Sequence, residues 1–217
     1  MSNQVIKRVT KRESSPARVY GHNLIAELHR AMKGKYKFYV RLVGSAQWNT
    51  ILHEPGKPWD VDYQIHLTKN SKVYKEDKSF DPTETKDDFY NFFGERFKGK
   101  NGFETQNSTT AVTLINHNNG YSFDFVIIDP ANRIIRRNNN DGSGENMFTW
   151  NELKNCSEAY SSFKHLPADE KRIVIEEYVL PRKIKEKMKD ENDPTKRSSS
   201  EAFIEEVNNY VARKQHR

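Results

Sequence analysis

Residues 59–67 read Trp59-Asp60-Val61-Asp62-Tyr63-Gln64-Ile65-His66-Leu67. Val61, Tyr63, Ile65 and Leu67 alternate with Asp60, Asp62, Gln64 and His66, the period-2 pattern of a strand with one apolar and one polar face. The pattern predicts a strand over 61–67 and sets Asp60 and Asp62 on one face, their Cα atoms about 6.6 Å apart. Two carboxylates projecting together repel each other. A divalent cation offsets that repulsion, and Mg²⁺ favours a few carboxylates together with substrate phosphates and water. An Asp-x-Asp on a half-exposed strand is equally a solvated face, so its meaning depends on what surrounds it.

Upstream, Tyr36-Lys37-Phe38-Tyr39-Val40-Arg41-Leu42-Val43 alternates at Phe38, Val40 and Leu42 and runs directly into Gly44-Ser45. Glycine lets a backbone approach a phosphate, and serine offers a hydroxyl and an N–H. Gln47, Asn49 and Thr50 add polar groups, and a short helix starting here would point its N–H groups at an anion. Downstream, Tyr121-Ser122-Phe123-Asp124-Phe125-Val126-Ile127-Ile128 sets Asp124 in an apolar strand, where a carboxylate is costly unless paired or metal-bound. Asp129 is a second candidate for a third acid, but it precedes Pro130 and suits a turn. Three acids on neighbouring strands could hold two metal ions about 3.5–4 Å apart, the arrangement used in phosphoryl and nucleotidyl transfer.

The rest of the chain frames this segment. Residues 1–15 are polar and basic, a flexible arm. Ser14-Ser15-Pro16 marks a helix start, with Val19, Leu24, Ile25, Leu28 and Met32 recurring to Gly34. Asp81-Pro82-Thr83-Glu84 opens a helix through Phe89, Phe92, Phe93 and Phe97. Segments 109–116 and 121–129 flank His117-Asn118-Asn119-Gly120, and Asn-Gly predicts a hairpin. Residues 136–148 read as a polar loop, and residues 149–217 as helical, interrupted at Pro181. The order predicts an α+β fold: a mixed or antiparallel sheet flanked by helices over residues 16–135, with a small C-terminal helical region, 149–217, packing on that core.

Composition excludes several classes. The 217 residues carry 36 Lys/Arg and 30 Asp/Glu, net +6, and 35% are hydrophobic. No run of 18 apolar residues exists, so no membrane-spanning helix is expected. The first residues lack an apolar h-region, which leaves the cytoplasm as the expected location. The single cysteine, Cys156, excludes an intramolecular disulfide and a multi-cysteine zinc site. Residues 1–100 hold 19 Lys/Arg against 12 Asp/Glu, net +7, a balance suited to a polyphosphate or nucleic acid. Arg133, Arg136, Arg137 and the basic stretch Lys183–Lys189 suit the same ligands, and equally a solvated surface. Trp48 and Trp59 bracket the Gly-Ser and Asp-x-Asp elements and could stack on a base or simply pack.

Leu42-Val43-Gly44-Ser45, Trp59-Asp60-Val61-Asp62-Tyr63 and Phe123-Asp124-Phe125 together resemble the nucleotidyltransferase superfamily. That group includes DNA polymerase β, poly(A) polymerases and oligoadenylate synthases. Asn49-Thr50 resembles the Gly-Thr that often follows the Gly-Ser in oligoadenylate and bacterial cyclic-oligonucleotide synthases. The resemblance covers about residues 20–130. It implies a two-metal enzyme that transfers NMP from an NTP to an acceptor hydroxyl and releases pyrophosphate. Asp60, Asp62 and Asp124 would be catalytic and hold Mg²⁺ or Mn²⁺; Gly44, Ser45, Gln47 and Thr50 would bind the nucleotide. Products implied are an oligonucleotide or cyclic nucleotide, with a role in antiviral defence. Transfer to RNA, tRNA or a small molecule are alternatives within the class. A non-catalytic nucleic-acid-binding module of the same fold and a metal-dependent nuclease are alternatives outside it.

Overall fold

The protein is described by a computed structural model over residues 5–74, 79–138, 148–153 and 157–215. It comprises two compact units, one of Met1–Val5 and Val9–Leu153, the other of Ile6–Arg8 and Lys154–Arg217. Among the described residues no helix is long and apolar enough to cross a membrane.

The first unit is a mixed sheet with helices on its apolar face. Its elements are α1 (Lys11–Met32), β1 (Phe38–Val43), α2 (Gly44–Trp48), β2 (Trp59–Leu67) and α3 (Pro82–Phe97). They continue with β3 (Phe103–Asn107), β4 (Ala111–Asn116), β5 (Tyr121–Ile128), β6 (Arg133–Arg137) and β7 (Phe148–Glu152). Strand order is β1-β2-β5-β4-β3, with β6 joined to β5 and β7 to β6. The β2–β5 pair is parallel, and the other pairs are antiparallel. The predicted α+β class and the 109–129 hairpin are both present.

Alternation along β2 separates the two faces. Val61, Tyr63, Ile65 and Leu67 are buried, while Asp60 is exposed and Asp62, Gln64 and His66 are half-buried. Both long helices cover the apolar side. The Phe93 ring of α3 stacks on Phe125 at 4.6 Å, and Tyr20 of α1 stacks on Phe123 at 6.0 Å. Gly21 lets α1 settle close, because a methyl there would overlap the Tyr63 hydroxyl. The polar face, with the acids, points away from this helical layer.

Several boundaries differ from the sequence reading. Helix α1 begins at Lys11, not at Pro16, because Thr10 and Glu13 form a capping box. Residues 11–15 therefore belong to the helix and not to an arm. Val19 lies 59% exposed, since the buried stripe runs through Ala17, Gly21, Leu24 and Leu28. Strand β3 went unpredicted because its alternation is polar. Arg136 and Arg137 lie in β6, and residues 148–152 form β7 where the end of the loop and the start of the helical region were expected; Trp150 Nε1 donates to the Phe80 carbonyl at 2.8 Å. The remainder of the predicted loop, 139–147, and Cys156 lie outside the described residues.

The second unit is helical: α4 (Ser157–His165), α5 (Ala168–Ile173), α6 (Leu180–Met188) and α7 (Ser199–Gln215). Phe163 and Tyr160 both pack their rings on Phe203, at 5.2 Å each. Pro181 does not end the helix. A π-helical turn, Val174–Val179, joins α5 to α6, with the Leu180 N–H donating to the Ile175 carbonyl. The widened turn accommodates a residue that has no N–H and whose ring would crowd the preceding turn.

Candidate active site

Register brings the predicted residues together on the polar face. Asp62 of β2 stands directly opposite Asp124 of β5, and Asp60 opposite Ser122. Neighbouring strands lie about 4.8 Å apart, so the Asp62 and Asp124 backbones are adjacent. On the other side Asp62 stands opposite Val43, the last residue of β1, so Gly44 follows at once beside it. Gly44 has φ of +62°, and a methyl built on it would overlap Asp62 Oδ2. The bare glycine is what allows the chain to leave β1 and pass against the carboxylate.

The short α2 then turns through Gly44, Ser45, Ala46, Gln47 and Trp48. Gly44 and Ser45 are half-buried and Gln47 is exposed. Thr50 is 1% exposed, and its N–H donates to the Ser45 carbonyl at 2.9 Å, closing the turn from beneath. Asn49 adopts the left-handed conformation, φ +56°. Asparagine is among the few residues other than glycine that tolerate it. Arg18 of α1, which sequence reasoning missed, ties this turn down: its Nη2 donates to the Ala46 carbonyl at 2.6 Å and Asn49 Oδ1 at 2.9 Å.

Asp60 and Asp124 have hydroxyl partners. Ser122 Oγ donates to Asp60 Oδ1 at 2.5 Å, and Thr113 Oγ1, from the register partner of Asp124 on β4, donates to Asp124 Oδ1 at 2.6 Å. Burial raises the pKa of Asp124; the Thr113 hydrogen bond opposes this, the charge of Asp60 adds to it and that of Lys86 opposes it. Asp60 and Asp124 thus feel each other across the face. Among the described residues, however, no three His, Cys, Asp or Glu side chains converge closely enough to hold a metal ion. The three acids share a face, a register and an all-oxygen donor chemistry suited to a hard divalent cation. Asp60 and Asp124 each turn an oxygen to a neighbouring hydroxyl.

Other candidates fall elsewhere. Asp129 is 5% exposed and accepts from the Ala131 and Arg133 N–H groups and from the Arg133 guanidinium, at 2.5–3.0 Å. It closes the β5–β6 turn and holds Arg133. His66 stacks on Tyr39 at 4.8 Å, and burial lowers its pKa. Trp59 packs on Tyr121 at 5.4 Å.

Lys86 of α3 is a group the sequence reading passed over. It is fully buried, and its ammonium is pushed down to about 7, chiefly by burial, with the Arg137 charge reinforcing and Asp124 and Asp87 opposing. An unfolded lysine titrates near about 10.4. Between about pH 7 and 10 the unfolded chain therefore binds more protons, and stability rises with pH across that window. Wild-type protein should gain thermal stability relative to Lys86→Met from about pH 7 to 9.5. A constant difference over that range would contradict the shift.

No protein-family model and no curated protein matches the chain. Its structure is similar to that of Vibrio cholerae DncV bound to GTP, with a TM-score of 0.48 and 10% identity over 82% of this chain and 51% of that one. Escherichia coli DncV bound to 3′-deoxy GTP gives 0.47 and 11%, over 82% and 52%. The Bradyrhizobium diazoefficiens CD-NTase CdnG in complex with GTP gives 0.47 and 10%, over 72% and 43%. The chain spans about half the length of the solved structures it matches.

Proposed function

We propose that this chain carries a divalent-metal-dependent nucleotidyltransferase site, transferring NMP from an NTP to an acceptor hydroxyl with release of pyrophosphate. The observation that supports it most is the pairing of Asp62 with Asp124 on adjacent parallel strands, with the bare Cα of Gly44 against Asp62. Asp60, Asp62 and Asp124 are the residues that would hold Mg²⁺ or Mn²⁺. Such an ion, when bound, neutralises charge on the triphosphate and on the attacking and leaving oxygens.

The chain's own residues then have distinct tasks. Gly44 and Ser45 bring backbone and hydroxyl to the β- and γ-phosphates, with exposed Gln47 beside them and buried Thr50 supporting their turn. Asp124, furthest from the Gly-Ser turn in the strand order, faces the acceptor side and orients the attacking hydroxyl. Attack forms the new O–P bond at the α-phosphorus while the bond to the pyrophosphate oxygen breaks, and the hydroxyl proton departs toward the carboxylate side or solvent. Positioning of this kind supplies much of the barrier reduction in phosphoryl-type transfers. A metal-dependent nuclease also uses clustered acids, and the Gly-Ser turn favours the transfer reading because a nuclease has no need of a triphosphate cradle.

The acceptor separates the readings within the class: a second nucleotide, RNA or tRNA, or a small hydroxylated molecule. Incubation with each NTP and Mg²⁺ or Mn²⁺, with and without added RNA, followed by mass analysis, decides it. The expected result is pyrophosphate together with a cyclic or linear oligonucleotide product. No pyrophosphate from any NTP under these conditions would contradict the proposal.

A further inference from the structure

Two side-chain hydrogen bonds lead from Ser108 to Asp124, and Lys86 anchors the Ser108 backbone. Lys86 Nζ donates to the Ser108 carbonyl at 3.2 Å; the Ser108 and Thr113 hydroxyls lie 2.9 Å apart; Thr113 Oγ1 donates to Asp124 Oδ1 at 2.6 Å. A hydroxyl has one proton. Thr113 donates to Asp124, so it must accept from Ser108, and both hydroxyls donate toward the carboxylate. Among the described residues Lys86 makes no ion pair, and it sits on the buried stripe of α3 with Phe89 and Phe93. A buried amine in an apolar stripe is costly, and an apolar side chain of similar shape would fill the space more favourably. Its polar head holds the Ser108 carbonyl and lies 5.2 Å over the Phe148 ring.

We propose that Lys86 and Thr113 are positioning residues for Asp124: Lys86 holds the β3–β4 connection, Ser108 carries that hold to Thr113, and Thr113 commits Oδ1 so that Oδ2 is the oxygen turned to the site. The inference rests on the nucleotidyl-transfer reading of Asp124 and adds the residues that set its orientation. Neither positioning residue touches substrate.

Thr113→Val keeps the shape and removes the donor; Thr113→Ser restores the donor; Lys86→Met keeps the length and removes the amine. Thr113→Val should lower kcat by about 10- to 100-fold, the scale of a misplacement near 1 Å, with KM for NTP within about twofold. Thr113→Ser should recover most of that loss. Lys86→Met should lower kcat with a melting temperature near pH 7 no lower than the wild type's, which loss of a merely structural lysine would not give. Crystal structures of wild type and Thr113→Val give an independent readout: the Asp124 carboxylate should be rotated in the variant. An unrotated Asp124 in Thr113→Val, or unchanged kcat in both Thr113→Val and Lys86→Met, overturns the proposal. Absence of NTP turnover in the wild type would remove the functional reading, while the Asp124 orientation would still decide the positioning.

Discussion

Asp124→Asn is expected to reduce NTP turnover about 1000-fold while leaving the protein folded. Asparagine matches aspartate in shape and can still accept the Thr113 proton through its amide oxygen. What it removes is the negative charge. Charge stabilisation at a metal-assisted transfer is worth several kcal/mol, and each 1.36 kcal/mol is tenfold in rate, so a loss of about 4 kcal/mol gives about three decades. Stability should move the other way or not at all. The carboxylate's pKa is raised by burial, so the fold favours the neutral form, and a neutral amide avoids that burden. Pyrophosphate release alongside thermal unfolding separates the two effects. Wild-type turnover in Asp124→Asn would remove Asp124 from the chemistry.

Gly44→Ala is expected to damage both fold and activity, and Gly56→Ala provides its control. Both glycines have positive φ, +62° and +82°, so alanine at either carries the left-handed penalty of about 1–2 kcal/mol. The surroundings differ: a methyl at Gly56 meets nothing within 4 Å, whereas one at Gly44 overlaps the Asp62 carboxylate. The backbone penalty should therefore appear in urea unfolding of both variants. Only Gly44→Ala should displace Asp62, with turnover falling about 100-fold, the usual consequence of misplacing a reacting group by about 1 Å. Equal activity in the two variants would show that the glycine serves the turn alone.

What could be read from the sequence was local. The 59–67 alternation and the Asn119-Gly120 turn report on residues within a few positions of one another, and both reappear as β2 and the β4–β5 hairpin. Strand β3 was missed because Glu104 and Gln106 face solvent and Thr105 gives little apolar contrast. Strand β7 was missed because its pairing partner, β6, lies across a long connection. The π-helical turn ahead of Pro181 depends on an i to i+5 hydrogen bond that has no residue signature.

The candidate site divides in the same way. Asp60 and Asp62 on one face follow from strand periodicity. The pairing of Asp62 with Asp124 does not, because it needs the parallel register of two strands separated by α3, β3 and β4. Two partners did leave traces. Ser122 is two residues before Asp124 and so shares its face. Lys86 precedes Phe89 by three and Phe93 by seven, which puts it on the buried stripe of α3 where a charge is out of place. The bond from Thr113 to Asp124 is a cross-strand contact set by the hairpin register, visible only once that register is known.

The central claim is that Asp60, Asp62 and Asp124, set on one face beside Gly44, close on a divalent cation when it binds with nucleotide. Crystals grown with Mn²⁺ and a non-hydrolysable NTP, measured at the manganese absorption edge, test it most directly. The account predicts an anomalous peak ligated by Asp60, Asp62 and Asp124, with the triphosphate against Gly44 and Ser45. Manganese and nucleotide bound elsewhere, with these three carboxylates still turned to Ser122, Gly44 and Thr113, would contradict it.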